Sequence, residues 1–176
     1  MSKRKIFHLD TDLEKENPIT SGGVIIYRFI NNNMELLLIE SRGGFEDLGG
    51  RIDETDKNIY TTISREAYEE SNCILDIKNI KTRLKSASFI YNPRSKYIVY
   101  IIEANKYEMK LLSNDFGDHE IYDDIVRTIN WIPLDIFLLP DIIKHKLNWR
   151  LKSKKLFDLL KTIQIDKKMN INMFLT

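Results

Sequence analysis

Six of the seven glycines lie between Gly22 and Gly50. The chain therefore needs unusual backbone freedom in one stretch and almost nowhere else. Around that stretch the residues alternate between strand formers and turn formers. Residues 22–29 (GGVIIYRF) follow a Gly pair with β-branched and aromatic residues and are expected to form a strand. Asn31-Asn32-Asn33 is a turn signal, and residues 34–40 (MELLLIE) read as the partner strand of a hairpin. Residues 41–55, with the pairs Gly43-Gly44 and Gly49-Gly50, are expected to be a loop that feeds a helix over 57–71. In that helix Ile59, Ile63 and Ala67 recur every four residues, and Tyr60 and Ile74 extend the stripe. Asp56 is the expected N-cap, and Asn72 sits where a left-handed terminating residue belongs.

Beyond the helix, residues 86–91 and 96–104 read as strands joined by Asn92-Pro93-Arg94-Ser95, and 128–132 as a short strand before Pro133. Residues 134–139 and 146–163 read as helical. The 176 residues suit one domain, and 43% hydrophobic content is enough for a real core. No repeat, low-complexity tract or linker marks a second unit. The expected division is an extension over 1–20, a domain over 21–165 and a tail over 166–176.

Charge narrows the function. With 27 basic and 26 acidic residues the net charge is +1, which argues against a chain held to nucleic acid by bulk charge, though a local basic patch remains open. The single cysteine, Cys73, excludes an internal disulfide and a cysteine-rich zinc site. Residues 1–17 contain no apolar signal core, and the longest apolar runs, at 98–102 and 136–139, are too short to span a bilayer. The expectation is a soluble, cytoplasmic protein.

The chemistry concentrates in Arg65-Glu66-Ala67-Tyr68-Glu69-Glu70. At spacings of three and four on a helix, Glu66, Glu69 and Glu70 project within an arc of roughly a hundred degrees. Glu70 falls on the edge nearest the apolar stripe. Like charges so placed repel, and partial burial raises that cost. Arg65, four residues before Glu69, can pair with that carboxylate only. A hard divalent cation would relieve the repulsion, because it prefers carboxylate and phosphate oxygens. A solvated acidic helix face is the usual meaning of such a run. The preceding glycine loop, with Asp53, Glu54 and Asp56 at the helix start, shifts the reading toward a metal–diphosphate site.

These residues resemble the Nudix box, G-x5-E-x7-R-E-U-x-E-E-x-G-U with U apolar. Gly50 stands at the first Gly, Asp56 at the loop carboxylate, Arg65-Glu66-Ala67 and Glu69-Glu70 at R-E-U-x-E-E, and Cys73 at the last apolar position. The sequence departs from the pattern in having Asp for Glu at 56, one more residue before Arg65, and Asn72 for Gly. Trp131-Ile132-Pro133-Leu134-Asp135 is similar to a segment often found late in such domains. The resemblance implies an α/β fold, an α/β/α sandwich with a mixed sheet. It implies hydrolysis of a pyrophosphate bond in a nucleoside diphosphate linked to another moiety, such as a nucleotide sugar, dinucleotide, nucleoside triphosphate or RNA cap. It also implies Mg²⁺ or Mn²⁺ held by Glu66, Glu69 and Glu70, with Arg65 orienting these carboxylates. Gly49, Gly50 and Arg51 are the candidate phosphate-binding residues. Glu69 is one candidate base. Glu120, in the Gly117-Asp118-His119-Glu120 loop, is preferred, with Asp123 and Asp124 as rivals. A non-catalytic domain that binds a nucleotide or a protein is the alternative.

Lysines and arginines between Lys144 and Lys161 accompany Leu156, Phe157, Leu160 and Ile163 at helical spacing. An amphipathic helix with its basic face in water is the preferred reading, and a phosphate-rich partner such as capped RNA the functional one. A homodimer is compatible with the sequence. Phe89, Tyr91 and Tyr97 flank a turn and are expected to be core rather than stacking platforms. Trp131 and Trp149 are expected to pack, and His119 and His145 receive no role.

Overall fold

The structure is a computed structural model that describes residues 5–9, 16–122, 124 and 126–174. Seven strands form one mixed sheet, in the order β3(Gly44–Glu46), β2(Asn33–Ser41), β1(Ser21–Ile30), β6(Tyr97–Glu103), β5(Ser88–Asn92). In addition, β4(Leu48–Arg51) pairs with the first half of β1, and β7(Thr128–Pro133) pairs with β2. The β1–β6 pair is parallel and the others are antiparallel. The expected hairpin is present, and Asn31 and Asn32 both take positive φ (48° and 64°), the backbone that a tight hairpin turn requires.

Helices cover both faces, which is why β1 and β6 are apolar at nearly every position rather than at alternate ones. One core gathers Val24, Ile26, Ile98 and Tyr100 beneath α1(Ile59–Glu70) and α2(Ile77–Leu84). The other gathers Ile25, Leu36, Val99 and Ile101 beneath α3(Leu134–Phe137) and α5(Lys154–Phe174), through Leu134, Phe137, Leu156 and Leu160. The short α4(Pro140–His145) precedes a 3₁₀ turn at Trp149–Leu151. This is an α/β fold, a mixed sheet between helical layers.

Several expectations need correction. Residues 41–55 are not one loop, because β3 and β4 lie within them. Glycine serves there for close approach as well as turning: a Cβ on Gly49 would meet the Gly23 Cα at 2.3 Å. The helix begins at Ile59 and its N-cap is Asn58, whose side chain accepts from the Thr61 N–H at 3.0 Å; Asp56 is turned inward instead. The helix expected over 146–163 is broken into the 3₁₀ turn and α5, and α5 continues through most of the expected tail. The expected strand at 86–91 starts two residues later, and α2 was not anticipated. Asn72 does take the left-handed conformation (φ 57°), followed by Cys73 (φ 67°). In the N-terminal extension, Phe7 and Ile19 form an antiparallel bridge and Ile19 is fully buried. Among the described residues no helix is long and apolar enough to cross a membrane.

Candidate functional site

The site is built where α1 crosses β4. Ile59, Ile63 and Ala67 are buried against the sheet, so the adjacent helix edge is held directly over Gly49 and Gly50. Gly50 has no Cβ, and one placed there would lie 2.4 Å from the Glu66 carboxyl carbon. The missing side chain is what lets Glu66 rest on the strand. One turn further on, Glu70 accepts the Gly49 backbone N–H at 2.7 Å. The Gly49 backbone N–H is therefore engaged by the carboxylate.

Burial pushes the Glu70 carboxyl well above the usual carboxylate range, and the charges of Glu66, Glu120 and Asp47 push it further. Burial likewise raises Glu66, with Arg65 opposing the shift. Among the described residues, no cation forms an ion pair with Glu70.

Arg65 pairs more widely than its spacing implied. Beyond Glu69 (3.0 Å) it meets Glu66 (3.0 Å) and grips the buried Asp56 through two nitrogens, at 3.0 and 3.2 Å, and it donates to the Arg51 carbonyl at 3.1 Å. Burial alone would lower its pKa, but the bond to Asp56 and the surrounding carboxylates hold it above the ordinary guanidinium value. Burial would likewise raise Asp56, yet hydrogen bonds from Arg65, the Asp53 N–H and Thr62 bring its carboxyl below the usual range. Asp56 is thus the anchor of Arg65. Asp53 is a turn residue that accepts from the Thr55 N–H and hydroxyl, and Glu54 is exposed.

Glu70 and Glu120 line one cavity of about 160 Å³ together with Ser41, Arg42, Glu46 and Arg127. Glu120 is partly buried, whereas its rival Asp124 is exposed and Asp123 lies outside the described residues. Glu69 instead directs its carboxylate to Arg65. The Arg51 side chain lines a different cavity, of about 330 Å³, with Tyr97, Asn148, Trp149 and Arg150. Among the described residues, no three acidic, histidine or cysteine side chains converge on one point that could hold an ion.

Arg127 and Asp47 were not legible as site residues. Arg127 is buried and donates to the carbonyls of Phe116 (3.1 Å), Gly117 (2.9 Å), His119 (2.9 Å) and Glu70. Burial lowers its pKa, and nearby carboxylates oppose that. It ties the end of α1 to the loop that carries Glu120. Asp47, fully buried, accepts from the Tyr97 hydroxyl at 2.6 Å and from Arg150 at 3.2 Å. A lone charge at the edge of an apolar run, as in Val126-Arg127-Thr128-Ile129, was the available signal for Arg127.

No protein-family model matches the chain, and no curated protein matches it. Among solved structures it is similar to a Caenorhabditis elegans Ap4A hydrolase in a binary complex, at 15% identity and TM-score 0.47, covering 84% of this chain and 98% of that one. It is also similar to the NUDIX domain of Shewanella oneidensis NrtR in complex with ADP ribose, at 15% identity and TM-score 0.49, covering 86% and 88%. Both likenesses are distant, so the chemistry has to come from the residues of the site.

Proposed function

We propose that the chain is a Nudix-type hydrolase, cleaving a pyrophosphate bond in a nucleoside diphosphate linked to another group. The observation that carries this reading is Glu70, a half-buried carboxylate fixed by the Gly49 N–H, crowded by Glu66 and Glu120 and facing a cavity that Arg42 and Arg127 also line. Packing several acids at a buried edge is costly without a cation to share.

Glu66 and Glu70 offer the hard oxygen atoms that suit Mg²⁺ or Mn²⁺, and Glu69, turned to Arg65 in this structure, would join them only by leaving that pair. Such an ion would neutralise phosphate charge and acidify a water molecule. The chain's own residues do the rest. Arg65, anchored by Asp56, holds Glu66 and Glu69 in place. Arg42 offers its guanidinium to a phosphate at the cavity wall. Glu120, beside Glu70, is the proposed base that takes the water's proton, with Glu69 as the alternative.

The pairing of Glu66 and Glu69 with Arg65 favours a second reading, in which the domain binds a nucleotide without cleaving it. The two are separated by incubating the protein with nucleotide sugars, dinucleotides, nucleoside triphosphates and capped RNA in Mg²⁺ or Mn²⁺ and scoring products. Hydrolysis of at least one, with Glu120→Gln slowing kcat by about 100-fold or more, is expected. Binding with no product from any of them would favour the second reading.

A further inference from the structure

We propose that the surface running from Gly50 past Trp149 to the start of α5 is a binding track for single-stranded nucleic acid, starting beside the hydrolytic site at Gly50, beneath Glu66, and resting on the hydrolase reading for its role. Two cavities meet at Trp149. The first, of about 330 Å³, opens on Gly50 and Arg51. The second, of about 500 Å³, runs between the β5–β6 turn, with Tyr91 and Arg94, and the segment holding Lys152, Lys154 and Lys155.

Trp149 is 58% exposed at the junction. Its backbone is not loose: Asn148 caps the 3₁₀ turn by accepting from the Arg150 N–H at 3.1 Å, and Leu151 is buried beneath. The exposed indole is thus carried on a capped turn. The other tryptophan contrasts with it. Trp131 packs on the core, donates its Nε1–H to the Leu111 carbonyl at 2.9 Å and has Arg28 over its ring. One tryptophan is used by the fold and the other is presented.

The charge on the banks is local, because the chain as a whole is nearly neutral. Arg51, Arg94, Lys152, Lys154 and Lys155 are all exposed; Lys154 is also paired with Asp158 at 2.6 Å, and Lys152 donates to the Lys144 carbonyl while keeping its charge. The phosphates of a single nucleotide would be served next to α1. Cations that continue beyond Trp149, away from Gly50, match further phosphates on a chain. An exposed indole between rows of cations provides a stacking face for a base together with sites for the backbone. A duplex keeps its bases stacked on one another, so the fit is to a single strand.

The test is fluorescence anisotropy with a labelled 12-nucleotide RNA and the DNA of the same sequence, in EDTA so that nothing is hydrolysed. Trp149→Ala is expected to weaken binding by about tenfold or more. The pair Lys152→Ala and Lys155→Ala is expected to lower the slope of log affinity against log salt by about 1.4, at about 0.7 per phosphate contact on a single strand. The pair Lys78→Ala and Lys85→Ala, on and just after α2 in the opposite layer, should bind as the unaltered chain does. Tighter binding of RNA than of DNA would assign the track to RNA, and equal binding to either strand. Absence of binding, or equal affinity for all variants, overturns the proposal. So does displacement by inorganic polyphosphate with Trp149→Ala unchanged, which would reduce the surface to charge alone. The hydrolase reading stands or falls separately: the Lys152→Ala, Lys155→Ala protein should still cleave small nucleotides at the unaltered rate. RNA binding without hydrolysis of any substrate would retire the hydrolase and leave the track.

Discussion

Glu70 concentrates the electrostatic cost of the site. A carboxylate whose folded-state pKa is raised binds its proton more tightly when folded. It therefore favours the native state below the ordinary carboxylate range and loses that advantage as pH rises through its folded value. Glu70→Gln removes the ionised form while keeping a hydrogen-bond acceptor for the Gly49 N–H. The variant should unfold at a higher temperature than the unaltered chain at neutral pH without metal, and the gap should close in acid. Thermal melts across pH check this, and a variant less stable at neutral pH would contradict it. Arg127 poses the opposite case. Four carbonyls depend on its guanidinium, so Arg127→Met should cost about 3 kcal/mol in urea unfolding. Arg127→Lys should recover part of that stability, since an ammonium can reach some of the four. Glu66, Glu69 and Glu70 were legible as neighbours on one helical arc from their spacing, but the turn of Glu69 toward Arg65 was read only as a possible pair. Arg127 and Asp47 were not legible, because a single buried charge leaves no period in the sequence.

At the scale of elements, the start of α1 shows how two capping residues divide their work. Asp56 and Asn58 are both good N-caps in isolation. The decision rests on Arg65, which needs a buried carboxylate partner and draws Asp56 inward, leaving Asn58 to cap. Asn58→Ala should therefore cost about 1 kcal/mol and leave Arg65 in place. Asp56→Asn should cost about 3 kcal/mol, because it leaves a partly buried guanidinium without its anchor, and should also lower activity. Urea unfolding of the two variants gives the comparison, and equal losses would contradict this division. The β1–β2 hairpin was readable because Asn31 and Asn32 supply the turn that the flanking strands demand. Strand β4 was not, since glycine marks turns and tight strand packing alike. Its glycines lie opposite Gly22 and Gly23, a pairing that is invisible until the strands meet. The break before α5 was missed for a similar reason: the stripe of Leu156, Leu160 and Ile163 fixes a helix there and says nothing about residues 146–153.

At the scale of the whole molecule, one mixed sheet separates two cores, and the acids of α1 lie over Gly49 and Gly50, with the Arg51 and Trp149 cavity opening beside the same strand. The expected α/β layering came from the resemblance of residues 50–73 and 131–135 to the Nudix pattern, not from the strand and helix periods themselves. The connection of Glu120 to Glu70 depended on a loop pinned by Arg127, which the order of elements could not reveal. The account turns on whether the acids of α1 hold a divalent ion, and Mn²⁺ titration followed by electron paramagnetic resonance measures that directly. The prediction is that the unaltered chain depletes the free Mn²⁺ signal and that Glu66→Gln and Glu70→Gln each weaken the binding by about tenfold or more. Equal Mn²⁺ affinity in all three proteins would contradict it.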